Sequence, residues 1–132
     1  MPFPLPLQIG RWPMRAEFIE TKARSYRPRR SLADRVYLAV LTLAEGRADL
    51  LAHSEKPWAS ITFSGSRHEL TLDFNGPVAV AAGERFIALL PDHEFTLPGQ
   101  LVADACINSV DHRMHPEPRM VVEVALLLLE EV

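Results

Sequence analysis

The sequence predicts an α+β fold: a two-layer domain whose antiparallel β-sheet has about five to six strands, arranged as two β-meanders, with two to three helices packed on one face. Three observations lead there. Residues 101–129 read as two long strands joined by a proline-rich loop. Residues 59–74 alternate so that one side is apolar and the other polar, as in a half-buried hairpin. Between these strand groups, apolar residues recur at helical spacing. A sheet with one apolar face calls for helices on that side alone.

The 132 residues fit a single domain, 1–132, long enough to bury a real core. Hydrophobic content of 48% and charged content of 23% are those of an ordinary globular protein, which sets aside disordered and fibrous classes. One cysteine excludes an internal disulfide and fits a reducing compartment, so a cytoplasmic location is expected. The start, Met1–Leu7, has neither a charged head nor a continuous apolar run and does not read as a secretory signal. The most apolar run, Met120–Leu129, is ten residues, too short to cross a bilayer as a helix. No membrane association is expected.

Net charge is −3, unevenly spread. Between Arg11 and Arg35 stand eight basic and three acidic residues; the rest of the chain holds six basic and fourteen acidic ones. A segment of +5 thus accompanies a body of −8. The simplest expectation is that this segment lies along the acidic face of its own body or of a partner subunit. Phosphate or nucleic-acid binding through residues 24–35 is an alternative. The overall negative charge and the lack of an aromatic-rich stacking motif work against it.

Residues 1–12 contain three alternating prolines and read as an extended arm. From Pro13, residues Met14, Phe18, Ile19, Lys22, Ala23 and Tyr26 follow helical spacing, with an edge strand over Arg15–Thr21 as the alternative. The next helix begins at Ser31, an N-cap with Asp34 three residues on. It carries Leu32, Val36, Ala39, Val40 and Leu43 as one stripe and ends at Gly46. A short strand over Ala48–His53 is expected, then a hairpin turning at Gly65-Ser66. That register places Ala59, Ile61, Phe63, Leu70, Leu72 and Phe74 on the core face, His68 beside Phe63 as a hydrogen-bonded structural histidine, and Trp58 on the wet face. A helix follows from Pro77 to Leu90, with Ala82, Phe86, Leu89 and Leu90 as its stripe. Then come a short strand, His93–Leu97, a Pro98-Gly99 turn, and the strands Leu101–His112 and Arg119–Leu129. The order is helix, three strands, helix, three strands, the outline of two similar halves.

Few residues carry a chemical signature. Asp104, Cys106 and Asn108 alternate along one strand and should share a face. With a histidine from a neighbouring strand they would resemble an oriented cysteine nucleophile, although a small buried cysteine is the commoner situation. Asp92-His93-Glu94 closes a helix, where loops often line a pocket. His112 and His115 lie in a loop near Asp111 and Glu117, too few ligands in fixed geometry to define a zinc site. No metal and no cofactor are expected. Ser54, Ser60 and Ser64 sit in no nucleophile elbow, and the six glycines form no phosphate loop.

The favoured function is that of a non-catalytic module working as a homo-oligomer or with a protein partner. Trp58, Leu127 and Leu129 are the candidate interface residues, because so apolar a last strand must be interior to the sheet or covered. The alternative is a small-molecule binder or enzyme with a pocket near Asp104, Cys106, Asn108 and His93.

Overall fold

The structure, a computed structural model, describes residues 30–131. The expected proline-rich arm, the helix from Pro13 and most of the basic segment lie outside these residues. The described elements are α1 (Leu32–Leu43), β1 (Asp49–Ala59), β2 (Ser64–Asn75), α2 (Pro77–Leu89), a 3-10 turn (Leu90–Asp92), β3 (Gln100–Arg113) and β4 (Arg119–Glu130). All strand pairs are antiparallel, and the sheet order is β1-β2-β4-β3. The fold is α+β, with four strands rather than five or six and two helices among the described residues.

Helix α1 starts as its sequence dictates. The Ser31 hydroxyl accepts the Asp34 N–H at 3.1 Å, and the Asp34 carboxylate accepts the Ser31 N–H at 3.3 Å. Each satisfies a donor that the first helical turn leaves unpaired. Val36, Val40 and Ala44 on its inner side are fully buried. Helix α2 opens on Pro77, whose fixed φ suits a first helical turn. Arg85 on α2 donates two hydrogen bonds, of 2.7 and 2.8 Å, to the Glu45 carboxylate just beyond α1, which ties the two helices at the surface.

The core lies between these helices and one face of the sheet. Leu70, Leu72 and Phe74 of β2 and Met120, Val122, Val124, Leu126 and Leu128 of β4 alternate toward it, meeting Val36 and Val40 of α1 and Ala79, Val80 and Phe86 of α2. The Phe74 and Phe86 rings pack at 6.0 Å between centroids. Strand β4 is interior, hydrogen-bonded to β2 on one side and β3 on the other. Its apolar run is therefore not a free edge.

The first hairpin differs from expectation. Asp49–Ala59 is one continuous strand, and the turn is Ser60–Phe63, not Gly65-Ser66. The loop closes through the Ser60 N–H donating to the Phe63 carbonyl at 2.7 Å and the Phe63 N–H donating to the Ser60 hydroxyl at 3.1 Å. Ala59 pairs with Ser64. Ile61 and Phe63, expected in the core, stand at the exposed loop. Leu70, Leu72 and Phe74 keep their predicted face. Two residues account for the difference. Pro57 interrupts the strand pattern, but β1 is an edge strand, where a missing N–H costs no ladder bond. Gly65 is a strand residue because β2 runs close to β4 there: a Cβ would collide with the Leu128 carbonyl. The expected strand His93–Leu97 reduces to one bridge between Leu97 and Gln100.

Both edges of the sheet are irregular. β1 shifts register between Leu50 and Ala52, and β3 between Val102 and Asp104 and again between Ile107 and Ser109. Such bulges twist an edge and discourage strand addition.

Two glycines discriminate the packing. Gly65→Ala should destabilise the domain by about 1–3 kcal/mol in urea unfolding, the ordinary cost of overpacking, because the obstacle is backbone. Gly83→Ala should cost less. Its Cβ meets the flexible end of Met120 and the Phe74 ring, and alanine gains roughly 1 kcal/mol of helix propensity.

Candidate functional site: the open face of the sheet

The face of the sheet turned away from the helices has no cover among the described residues. Its composition follows from the register. The first row across β1, β2, β4 and β3 is Trp58, Gly65, Leu129 and Leu101. The next is Lys56, Arg67, Leu127 and Asp104; the third is Ser54, Glu69, Ala125 and Cys106. Trp58, Leu127 and Leu129, singled out from the sequence, thus stand on one face within two neighbouring rows. Leu101 is 53% exposed and Phe63, at the adjoining loop, 54%. Phe63, Leu101 and Leu129 line a shallow depression with Glu130 and Glu131.

The far half of the face is polar and internally paired. Arg119 donates to both Asp73 carboxylate oxygens, Nε at 2.9 Å and Nη2 at 3.1 Å, and Asn75 adds a bond of 2.9 Å. The Arg119 hydrogen bonds hold the Asp73 carboxyl below the usual carboxylate range, against the opposing effect of its burial. Ser109 donates to Glu123 at 2.9 Å, and Arg113 pairs with Asp111 at 3.2 Å. The face is divided along the strands into an apolar end and a charge-paired end.

Asp104 and Cys106 lie on this same face, on edge strand β3. Asn108 occupies the second β3 bulge, where it accepts from the Cys106 thiol at 3.6 Å. The structure thus brings Cys106 and Asn108 together, but on the side of the sheet away from the helices, not in a pocket between sheet and helices. His93 lies elsewhere, edge-on to Phe95 at 4.5 Å, in a cleft of about 540 Å³ that Asp104, Cys106 and Asn108 do not line. Arg35, one of the basic residues, donates to the Pro98 carbonyl at 3.1 Å. Among the described residues, no three His, Cys, Asp or Glu side chains gather closely enough to hold a metal ion. No described helix is long and apolar enough to cross a membrane.

On the helix-facing side, the sequence reading saw one half of a polar cluster and missed the other. His68 is fully buried and hydrogen-bonded, as expected, but not beside Phe63. Its Nδ1 faces His53 Nε2 at 3.0 Å, and its Nε2 faces the Ser66 hydroxyl at 2.9 Å. Ser66 lines a cavity of about 370 Å³ together with Leu32, Glu55, Gln100 and Glu130. Gln100 Oε1 is buried without a hydrogen-bond partner. His53 could be linked to His68 only through the correct hairpin register, which the Gly65-Ser66 turn signal obscured.

Burial lowers the proton affinity of both histidines; nearby Glu55 opposes this only in part. Above the ordinary histidine value of 6.5 both are neutral, folded or unfolded, and their burial is without penalty. As the pH falls below 6.5 the unfolded chain takes up protons that the folded one resists, so stability declines until the lowered folded-state values are reached. The melting temperature should therefore drop between pH 7 and pH 5, and the double variant His53→Gln/His68→Gln, though less stable throughout, should show a shallower decline.

No protein family, curated protein or solved structure matches the chain.

Proposed function

We propose that this domain is a non-catalytic interaction module whose working surface is the apolar end of the open sheet face. The observation that carries the reading is the row Trp58, Leu129 and Leu101 with Leu127 beside it, on a face that neither helix covers. A contiguous apolar patch rimmed by charged residues is the usual mark of a protein contact. The rim here is Lys56, Arg67, Asp104, Glu130 and Glu131, all exposed. The Cys106 thiol has Asn108 as its hydrogen-bond partner and no basic group bonded to it, which favours binding over nucleophilic chemistry.

A second reading, small-molecule binding, is favoured by one observation. The cavity beside Ser66 is lined by Glu55, Glu130 and Gln100, residues that carry acceptor groups, and Gln100 Oε1 is buried without a donor. A ligand there would carry N–H donors, as an amine or guanidinium does. At about 100 times its dissociation constant it would stabilise the fold by roughly 2.7 kcal/mol, which a thermal-shift screen of amines resolves.

The test of the main reading is Leu127→Lys. Leu127 lies on the open face between Arg67 and Asp104, so lysine there should leave the fold intact. Circular dichroism should be unchanged, and association with the binding partner or with itself should weaken at least about tenfold, as for a central apolar anchor. Loss of folding would place Leu127 in the core; unchanged association would remove this face as the working surface.

A further inference from the structure

Resting on that reading, we infer that the occupant of the open face is a second copy of this chain, packed face to face about a twofold axis parallel to the strands. Three independent features point there. First, the edges are closed to strand addition. Edge β1 carries Lys56, Pro57 and a bulge; edge β3 carries two bulges. A dimer that extends the sheet is thereby disfavoured, and the face remains.

Second, the area fits. Four strands at about 4.8 Å and some twelve residues at about 3.3 Å make a face of roughly 750 Å². A standard stable interface takes about 800 Å² from each partner. The apolar end, the working surface, supplies about half of that, and the polar end, already paired internally, completes the contact.

Third, the pattern selects the axis. A twofold lying between two stacked sheets and perpendicular to the strands would lay the apolar row Trp58, Leu129 and Leu101 on the paired charges of Asp73, Arg119 and Arg113. That would desolvate ion pairs against leucines. A twofold parallel to the strands superposes the apolar row on itself and the paired charges on the polar end; the charges it lays on apolar side chains are Arg67, paired with Glu69 at 3.6 Å, over Leu127 and Asp73 over Val121. It sets β1 over β3 and β2 over β4 of the second copy, within the roughly 30° typical of stacked sheets.

The rows then complement one another. Trp58 lies against Leu101 of the second copy, and Leu129 lies over the bare backbone of Gly65. Lys56 faces Asp104. Each contact occurs twice, as an isologous interface requires. At the polar end Asp49 would come near Asp111, which Arg113 already pairs.

The experiment is light scattering of the full chain across concentrations, with four variants, each first shown to fold by circular dichroism. Lys56 and Asp104 are exposed, so charge reversal should spare the fold. The wild type should be a dimer. Lys56→Asp and Asp104→Lys should each weaken it at least about tenfold, and the double reversal should restore most of the loss. Leu127→Lys should dissociate it. As a second readout, Ser54→Cys places a thiol opposite Cys106 of the second copy, so a short bismaleimide should link two chains. Within one chain these residues lie on opposite edges of the sheet.

A wild type that is monomeric at all concentrations overturns the proposal. The interaction reading would then stand or fall on whether a different protein, or residues 1–29 of this chain, protect the face. A dimer weakened by Leu127→Lys but not rescued by the double reversal keeps the face as an interface and overturns the axis. A dimer indifferent to every variant overturns both.

Discussion

The structure depends on the place of β4 between β2 and β3. A strand paired on both sides has its backbone donors and acceptors satisfied, so it can carry apolar residues on both faces without becoming a site of edge aggregation. β4 does so: Met120, Val122, Val124, Leu126 and Leu128 face the helices, while Val121, Ala125, Leu127 and Leu129 face the other way. The edges then fall to β1 and β3, the strands with the bulges and, in β1, the proline. The long return through α2 is what lets the last strand of the chain enter beside β2 and leaves β3 outside.

That placement makes the two faces unequal. The helix-facing side is filled by Leu70, Leu72, Phe74 and the even-numbered residues of β4, with the His53–His68–Ser66 cluster buried at one end. The cluster tolerates burial because the His68 ring nitrogens have partners and the rings stay neutral; the cost appears only when acid forces protons onto the unfolded chain. The opposite side is divided. Its charged half is satisfied internally by the Asp73–Arg119, Asp111–Arg113 and Ser109–Glu123 pairs. In its other half Arg67 pairs with Glu69 at 3.6 Å, while Trp58, Leu101, Leu127 and Leu129 are covered by neither helix. The apolar side chains that suit the last strand to its interior position are thus also those left uncovered on the open face among the described residues.

Local patterns determined much of this in advance. The reciprocal Ser31–Asp34 cap, the Pro77 start of α2 and the limits of the two long strands were legible because each depends on residues adjacent in sequence. So was the apolar character of β4, and with it the choice of Leu127 and Leu129; strand alternation placed Leu70, Leu72 and Phe74. Whatever depends on which backbone lies next to which was not legible. Gly65 read as a turn residue, because nothing local reveals that the Leu128 carbonyl approaches it. That Pro57 fits inside β1 was not legible either, because an edge position is a property of the sheet and not of the strand. Ser60–Phe63 closes the hairpin through a serine side-chain bond that carries a weaker signal than glycine. Asp104 and Cys106 do share a face, but Asn108 falls in a β3 bulge, and the one-sided placement of the helices makes that face the open one. The sequence by itself determined elements and their apolar sides, since these follow from the periods of helix and strand. Only the tertiary structure decided register, strand order and which face stays uncovered, since these are set by contacts between residues far apart in the chain.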